Sequence, residues 1–392
     1  MHWQDQLDSI LSEDLATACQ RERAAFDAAA GRYAESLVLY GAGKLGRKVL
    51  QGLRGQNLQP LAFADSNPAL AGKIIDGIPV LAPADAVKKF GKHSVFVICV
   101  WHPARECGIR EIGADLSALG AERVAPFVWL FWKYAETFLP YYLWDLPSKL
   151  LAEAEEIRRG VAILANDGSR QQFTAHLLFR SRADFDCLPA PAPLPAYFPR
   201  ELFRLCEDEF FVDCGAYDGD TIRDFVRESG GRFRGILAFE PDPVNFRALQ
   251  LAIAADEGLR ARTRVCNVAV GRSPGKVRLA VTGQGSSAIH ASGGVETDCT
   301  TLDNALRDQR PTFIKMDIEG EEEAALIGGR QTISRHQPVL AVCVYHRQND
   351  LWKLPLLMHE LEPESKLTLR AYYLDGFDLV AFAVPPDRLR RN

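Results

Sequence analysis

The sequence predicts an α/β protein made of two doubly wound units, the second closing on an antiparallel hairpin. Three observations carry this expectation. Twice an apolar run leads through a glycine-bearing turn into a stretch of helical period, and twice a second apolar run ending in an acid follows about twenty residues later. The first instance spans residues 36–65 (SLVLYGAGKLG to PLAFAD), the second residues 210–240 (FFVDCGAYDGDT to ILAFE). The last apolar stretch, LTLRAYYLDGFDLVAFAV, alternates like paired strands about a turn at Asp375-Gly376. At 392 residues the chain exceeds one ordinary core, so two units plus connecting structure are expected.

Composition narrows the setting. Residues are 47% hydrophobic and 25% charged, and 46 basic against 51 acidic side chains give −5. No global field recruits nucleic acid or an anionic membrane, so neither is expected as a partner. Nine cysteines without a C-x-x-C pair fit a reducing cytoplasm better than a disulfide framework. The opening MHWQDQLDSILSEDLATAC is acidic and helical in period, unlike a secretory signal. Residues 124–144 are the most membrane-like, but Lys133, Glu136 and Pro140 interrupt them, so no transmembrane segment is expected. A buried helix or domain interface is the expected role, and a peripheral membrane contact is the rival.

Taken in order, residues 1–34 read as an N-terminal helical segment. Residues 35–125 read as a Rossmann-like nucleotide-binding domain. There Gly41, Gly43 and Gly46 stand in G-x-G-x-x-G register between a strand and the helix RKVLQGLRG, and Asp65 ends the next strand. A sugar nucleotide or NAD is the expected ligand; the alternative is a scaffold whose glycines only permit close helix–strand packing. The run DSNPALAGKIIDGIPVLAPADA resembles N-terminal domains of sugar-nucleotide acetyltransferases and related polysaccharide-biosynthesis enzymes, which favours the sugar nucleotide. Residues 126–200 form a helical and proline-rich connector ending in CLPAPAPLPAYFPR. Its Tyr197 and Phe198 would either line a substrate cleft or pin the connector to a domain.

Residues 201–392 form the second α/β domain. Asp213 closes its first strand, Gly215 and Gly219 shape the turn, and Thr221 opens a helix with Ile222, Phe225 and Val226 on one face. Glu240, after the strand at residues 235–239, is placed to accept hydrogen bonds from a ribose diol. Asp213, Asp218 and Asp220 would repel a pyrophosphate and suit a cationic sulfonium or amino group, which favours S-adenosylmethionine over NAD here. Further strands are expected at residues 263–270, 276–281, within PTFIKMD and within VLAVCVYH, and GQGSSAIHASGG reads as a mobile lid. Five strands with intervening helices and a terminal antiparallel pair is the layout of class I methyltransferases.

VDCGAYDGDT, FEPDPVNF, NVAVG, the GSS loop, TLD and FIKMDIEGEE occur in the order seen in the FkbM family of S-adenosylmethionine-dependent methyltransferases, which residues 197–385 resemble. The resemblance implies O-methylation of a hydroxyl on a sugar, nucleotide sugar or other polysaccharide or natural-product precursor. It implies that Asp213, Gly215, Ala216, Asp218, Gly219 and Thr221 shape the methionine pocket. Glu240 would hold the ribose, Asn267 would lie near the adenine, and Ser287 would belong to the cofactor loop. Glu240 and Asp213 also have a plainer reading as capping acids at strand–helix turns.

A hydroxyl needs a base to become a nucleophile. His346 and Asp317, ending the two strands beyond the glycine turn, are the candidates: the histidine as base, the acid orienting it or binding the methionine amino group. Asp317, Glu319 and His346 could instead hold Mg²⁺, an option the spacing does not favour. Two rivals remain open. One is a bifunctional protein with NAD-linked chemistry in the first domain, although no convincing Tyr-x-x-x-Lys pair occurs in the first 125 residues. The other is a scaffold that binds the cofactor without catalysis. The acceptor and the oligomeric state, a homo-oligomer included, stay open.

Overall fold

The computed structural model describes residues 2–102, 107–280, 288–289 and 294–390. Ser287 and most of the expected lid loop lie outside the described residues. The chain separates into two compact units: residues 1–155, 172–191 and 373–377, and residues 156–171, 192–372 and 378–392.

The first unit opens with helices Trp3–Leu11 and Leu15–Ala30. Its sheet contains β1 (Leu37–Tyr40), β2 (Ala62–Ala64), β3 (Ile74–Ile75), β4 (Ile78–Leu81), β5 (Val95–Ile98) and β6 (Val124–Pro126), in the order β3-β4-β2-β1-β5-β6. All pairs are parallel except β3 with β4. The helix Lys44–Gly55 leaves the glycine turn and buries Leu45, Val49, Leu50 and Leu53. Gly46 has a steric reason: a Cβ there would stand 1.9 Å from the Gly41 carbonyl oxygen. The aromatic stretch becomes core. Phe127, Phe131, Phe138 and Trp144 are buried, and Phe131 stacks on Phe138 at 4.5 Å between ring centroids. Among the described residues no helix is long and apolar enough to cross a membrane.

The second unit holds β7 (Phe210–Cys214), β8 (Gly235–Phe239), β9 (Thr263–Cys266), β10 (Ala269–Val270), β11 (Gly275–Ala280), β12 (Ala288–Ile289), β13 (Val295–Thr300), β14 (Phe313–Met316), β15 (Val339–Cys343), β16 (Lys366–Ala371) and β17 (Leu379–Val384). The main sheet runs β16-β17-β15-β14-β7-β8-β9. β9, β8, β7, β14 and β15 are mutually parallel, and β17 returns antiparallel between β15 and β16. This is the expected doubly wound sheet with its terminal pair. Chain direction across the sheet reverses between β7 and β14, where such sheets open a crevice at their carboxyl edge.

Two details differ from expectation. The strand expected over residues 263–270 breaks at Asn267, whose side-chain amide donates to the carbonyls of Glu240 (2.8 Å) and Pro241 (3.2 Å). Beyond the break β10 leaves the main sheet and pairs with β13, in a small sheet ordered β10-β13-β11-β12. The final hairpin is joined by residues 372–378, which include a 3-10 turn at Leu374–Gly376, instead of a tight Asp375-Gly376 turn.

Behind the crevice, Phe198, Phe211, Phe225 and Phe313 form one aromatic cluster, with Phe211 stacked on Phe225 at 4.6 Å. Phe198 therefore fixes the end of the proline-rich connector to the sheet by apolar burial.

Candidate functional site

The carboxyl edges of β8, β7, β14 and β15 gather most of the residues singled out from sequence. Asp213 and Lys315 are register partners on adjacent strands, so their side chains share a face of the sheet. Both are buried, with Nζ of Lys315 3.1 Å from Oδ1 of Asp213. The same ammonium donates to the Gly215 carbonyl at 2.7 Å, tying the glycine turn to β14. Burial alone would drive the Asp213 carboxyl higher than the value of about 6 to which it is pushed; Lys315 opposes the rise. The lysine is held protonated against its own burial, chiefly by Asp213 and then Asp317. The pair is therefore ionised near neutral pH.

Gly215 is confined sterically. Its φ is +85°, and a Cβ would lie 1.9 Å from the Asp317 carbonyl oxygen. Gly215 and Ala216 donate to the Phe239 carbonyl, both at 3.0 Å, and Gly219 caps the helix Asp220–Glu228 from φ +88°. Tyr217 takes a left-handed φ of +46° and donates its N–H to Oε2 of Glu240 at 2.8 Å. Oε1 of Glu240 accepts from Asp242 N–H at 2.9 Å. Each of these oxygens retains a lone pair, so Glu240 can also accept from a diol. Burial lifts its carboxyl to about 7, against hydrogen bonds from Asp242 and Tyr217 that pull it down.

The acid-rich turn is less negative than its sequence implies. Asp213 is matched by Lys315, and Asp218 lies 2.9 Å from Arg223. Asp220 accepts from the Thr221 N–H at 2.7 Å. Two of the three carboxylates that the sequence sets in this turn thus have a cationic partner.

Negative charge concentrates instead beyond β14. Nδ1 of His346 is 2.9 Å from Oε1 of Glu322, and Nε2 is 3.3 Å from Oδ1 of Asp317 and 4.0 Å from Oε2 of Glu319. Glu319 sits at φ +57°, a conformation unfavourable for a residue with a Cβ. Oε1 of Glu322 also accepts the Ile318 N–H at 2.8 Å. Burial disfavours a charged imidazole, but Glu322, Asp317 and Glu319 outweigh it and hold the His346 ring protonated well above its usual range. Burial would raise the Asp317 carboxyl, yet His346 and Lys315 hold it well below the carboxylate range. His346 is 1% exposed and Asp317 25%, so the acid is the member of this pair that a ligand can reach.

Lys315 and Glu322 are not assigned to the site from sequence. Lys315 had a readable signal: a lysine inside the apolar strand FIKM requires a buried anion. Tyr197, which the sequence offers either as a cleft-lining residue or as an anchor of the connector, donates its hydroxyl to Oδ2 of Asp317 at 3.0 Å. Glu322 carried no distinguishing signal, because only the β14–β15 crossing brings it to His346.

In the first unit Gly41 N–H donates to the Ala64 carbonyl at 2.7 Å, and Ala42 N–H donates to Oδ2 of Asp65 at 2.8 Å. Oδ1 of Asp65 accepts from Asn67 N–H at 2.8 Å. Gly43 precedes the helix Lys44–Gly55 with no side-chain cap.

Residues 213–366 match the family model of the methyltransferase FkbM domain. The crystal structure of a methyltransferase FkbM from Methylobacillus flagellatus is similar over 97% of this chain and 98% of its own, with a TM-score of 0.77 at 22% identity. This likeness shows the fold. Two lesser likenesses have scores too low to argue from. UDP-D-quinovosamine 4-dehydrogenase from Vibrio fischeri covers 23% of this chain and 75% of its own (22% identity, TM-score 0.19). Precorrin-6y C5,15-methyltransferase from Geobacter metallireducens covers 47% and 83% (12% identity, TM-score 0.29). Comparison with curated proteins finds no match.

Replacing Lys315 by Met strands a buried carboxylate and should destabilise the second unit by about 3–5 kcal/mol. Denaturant unfolding measures this, and Lys315→Met combined with Asp213→Leu should recover much of the loss.

Proposed function

We propose that the second unit binds S-adenosylmethionine and transfers its methyl group to a hydroxyl of a sugar, nucleotide sugar or related polysaccharide or natural-product precursor. The observation that carries this reading is the convergence of Gly215, Glu240, Asp317 and His346 at one carboxyl edge, within a segment matching a methyltransferase domain. Glu240 would take the ribose hydroxyls, and the Gly215–Gly219 turn would pack against the methionine portion. When bound, the cofactor supplies an electrophilic methyl on a sulfonium.

The chain's own task is to align the acceptor and help its proton leave. Asp317 is the group suited to face the acceptor, with one oxygen fixed by Tyr197 and the other beside His346. His346, nearly sealed from solvent between carboxylates, supports Asp317 from behind and stays away from the hydroxyl itself.

A second reading concerns the first unit. Its Asp65–Ala42 hydrogen bond repeats the Glu240–Tyr217 bond at the same separation of 23 residues, which supports a nucleotide, as a sugar nucleotide or NAD, at the Gly41–Gly46 turn. Acid release from purified protein followed by mass spectrometry should then yield a nucleotide, and its loss on Gly43→Trp would tie it to this turn.

Isothermal titration should find S-adenosylhomocysteine binding one site per chain. Because Glu240 titrates near 7, its ionised form grows as pH rises from 6 to 8, and affinity should rise with it. Glu240→Gln should weaken binding by about tenfold or more, as expected for one lost charged hydrogen bond, and remove this pH dependence. Unchanged affinity in the variant would argue against the reading.

Asp317→Asn should lower kcat for methyl transfer to a hydroxyl acceptor by about 10²–10⁴, with S-adenosylhomocysteine affinity within a few-fold of wild type.

A further inference from the structure

The second unit gathers carboxylates around His346. Asp317, Glu319 and Glu322 approach one imidazole to 3.3, 4.0 and 2.9 Å. Lys315, the nearby ammonium, is already committed to Asp213 and the Gly215 carbonyl. Even with the ring protonated, Asp317 and Glu322 together outweigh its single charge. Glu322 and His346 are each 1% exposed and Glu319 15%, so little water is available to screen them. Oε2 of Glu322 is shielded from solvent and has no hydrogen-bond partner among the described residues. An uncompensated buried carboxylate oxygen is costly and points to a missing cation.

The spacing fits one ion. Asp317, Glu322 and His346 each offer a donor atom, and these atoms lie within 4.8 Å of one another. Bonds of about 2.0–2.2 Å from nitrogen and oxygen to a first-row metal put donors around one ion about 3–4.4 Å apart, so small side-chain adjustments suffice. Asp317, at 25% exposure, leaves an open side for an exogenous oxygen.

We infer that Asp317, Glu322 and His346 form a binding site for a divalent first-row transition ion, with Glu319 at its rim. An imidazole among the donors suits Mn²⁺, Fe²⁺ or Zn²⁺ better than Mg²⁺, which takes oxygen ligands almost exclusively. The inference deepens the methyl-transfer reading and rests on it for its role alone. The ion would bind the acceptor oxygen on the open side, draw electron density from its O–H bond and ease loss of that proton to water.

The test uses the full chain after treatment with a chelator, with Mn²⁺ as the probe. Loss of the free-ion electron paramagnetic resonance signal should give one Mn²⁺ per chain, not displaced by excess Mg²⁺. Glu322→Gln and Asp317→Asn, each checked by circular dichroism to be folded, should weaken binding at least tenfold. Glu364→Gln, an exposed acid outside the site, should leave it unchanged. Absence of stoichiometric binding, ready displacement by Mg²⁺, or full affinity in both Glu322→Gln and Asp317→Asn would overturn the inference. Failure of the two readings is distinguishable. S-adenosylhomocysteine binding without Mn²⁺ binding sinks the metal site alone, and the converse sinks the methyl-transfer reading alone.

Discussion

The buried contact between Asp213 and Lys315 is the constraint on which the rest of the second unit depends. It joins the two strands at which the sheet changes direction, and through the Gly215 carbonyl it fixes the glycine turn to the same lysine. A pair of this kind adds little net stability, because desolvating both ions offsets their attraction. Its value lies in specificity. A one-residue slip of β14 against β7 would move Lys315 to the opposite face and leave both charges buried and unmatched. The register that satisfies the pair is also the one that brings the Asp317 carbonyl against Gly215 and so sets the mouth of the crevice.

From this fixed point, polar groups are held by the backbone and charged groups by one another. Glu240 is gripped by two N–H groups from separate loops, and Asn267 latches the same loop from the end of β9. Such bonds orient a carboxylate without neutralising it. On the β14–β15 side the opposite holds: His346 is flanked by carboxylates, and its proton partly balances them. Asp378, pushed up to about 7 by burial and by Asp317, adds another acid that the region keeps neutral only in part. The crevice therefore has one wall whose carboxylate is held by backbone N–H groups and another crowded with acids around an imidazole.

Much of this was legible in the sequence because it depends on local pattern. Apolar runs gave the strands, glycine turns gave their exits, and the acids at residues 65, 240 and 317 marked strand ends, each at the carboxyl edge of its own sheet. Charge balance was not legible, since it depends on which strands become neighbours. Asp213 looked like a pocket acid until β14 set Lys315 beside it, and Asp218 looked free until one helical turn returned Arg223 to it. Tyr197 was half legible: the connector offered a cleft residue or an anchor, and the tertiary fold buries Phe198 and sets the Tyr197 hydroxyl on Asp317.

The two units share one turn and differ in what stands next to it. In each, a glycine donates to the end of the neighbouring strand, and an acid accepts the N–H of the turn residue 23 positions before it. In the second unit the glycine packs against Asp317, so the turn opens toward an acid and a histidine. In the first, the equivalent Gly41 packs against Cys99 and Val100 at the end of β5, an apolar run. A turn of this geometry can hold a ligand in either setting, because its N–H groups belong to the backbone. Proton transfer needs a titratable group on the adjacent strand, and β14 ends in one where β5 continues into Cys99 and Val100. On the proposed reading, the division between binding in one unit and chemistry in the other follows from the residues that end a single strand, not from the shared fold.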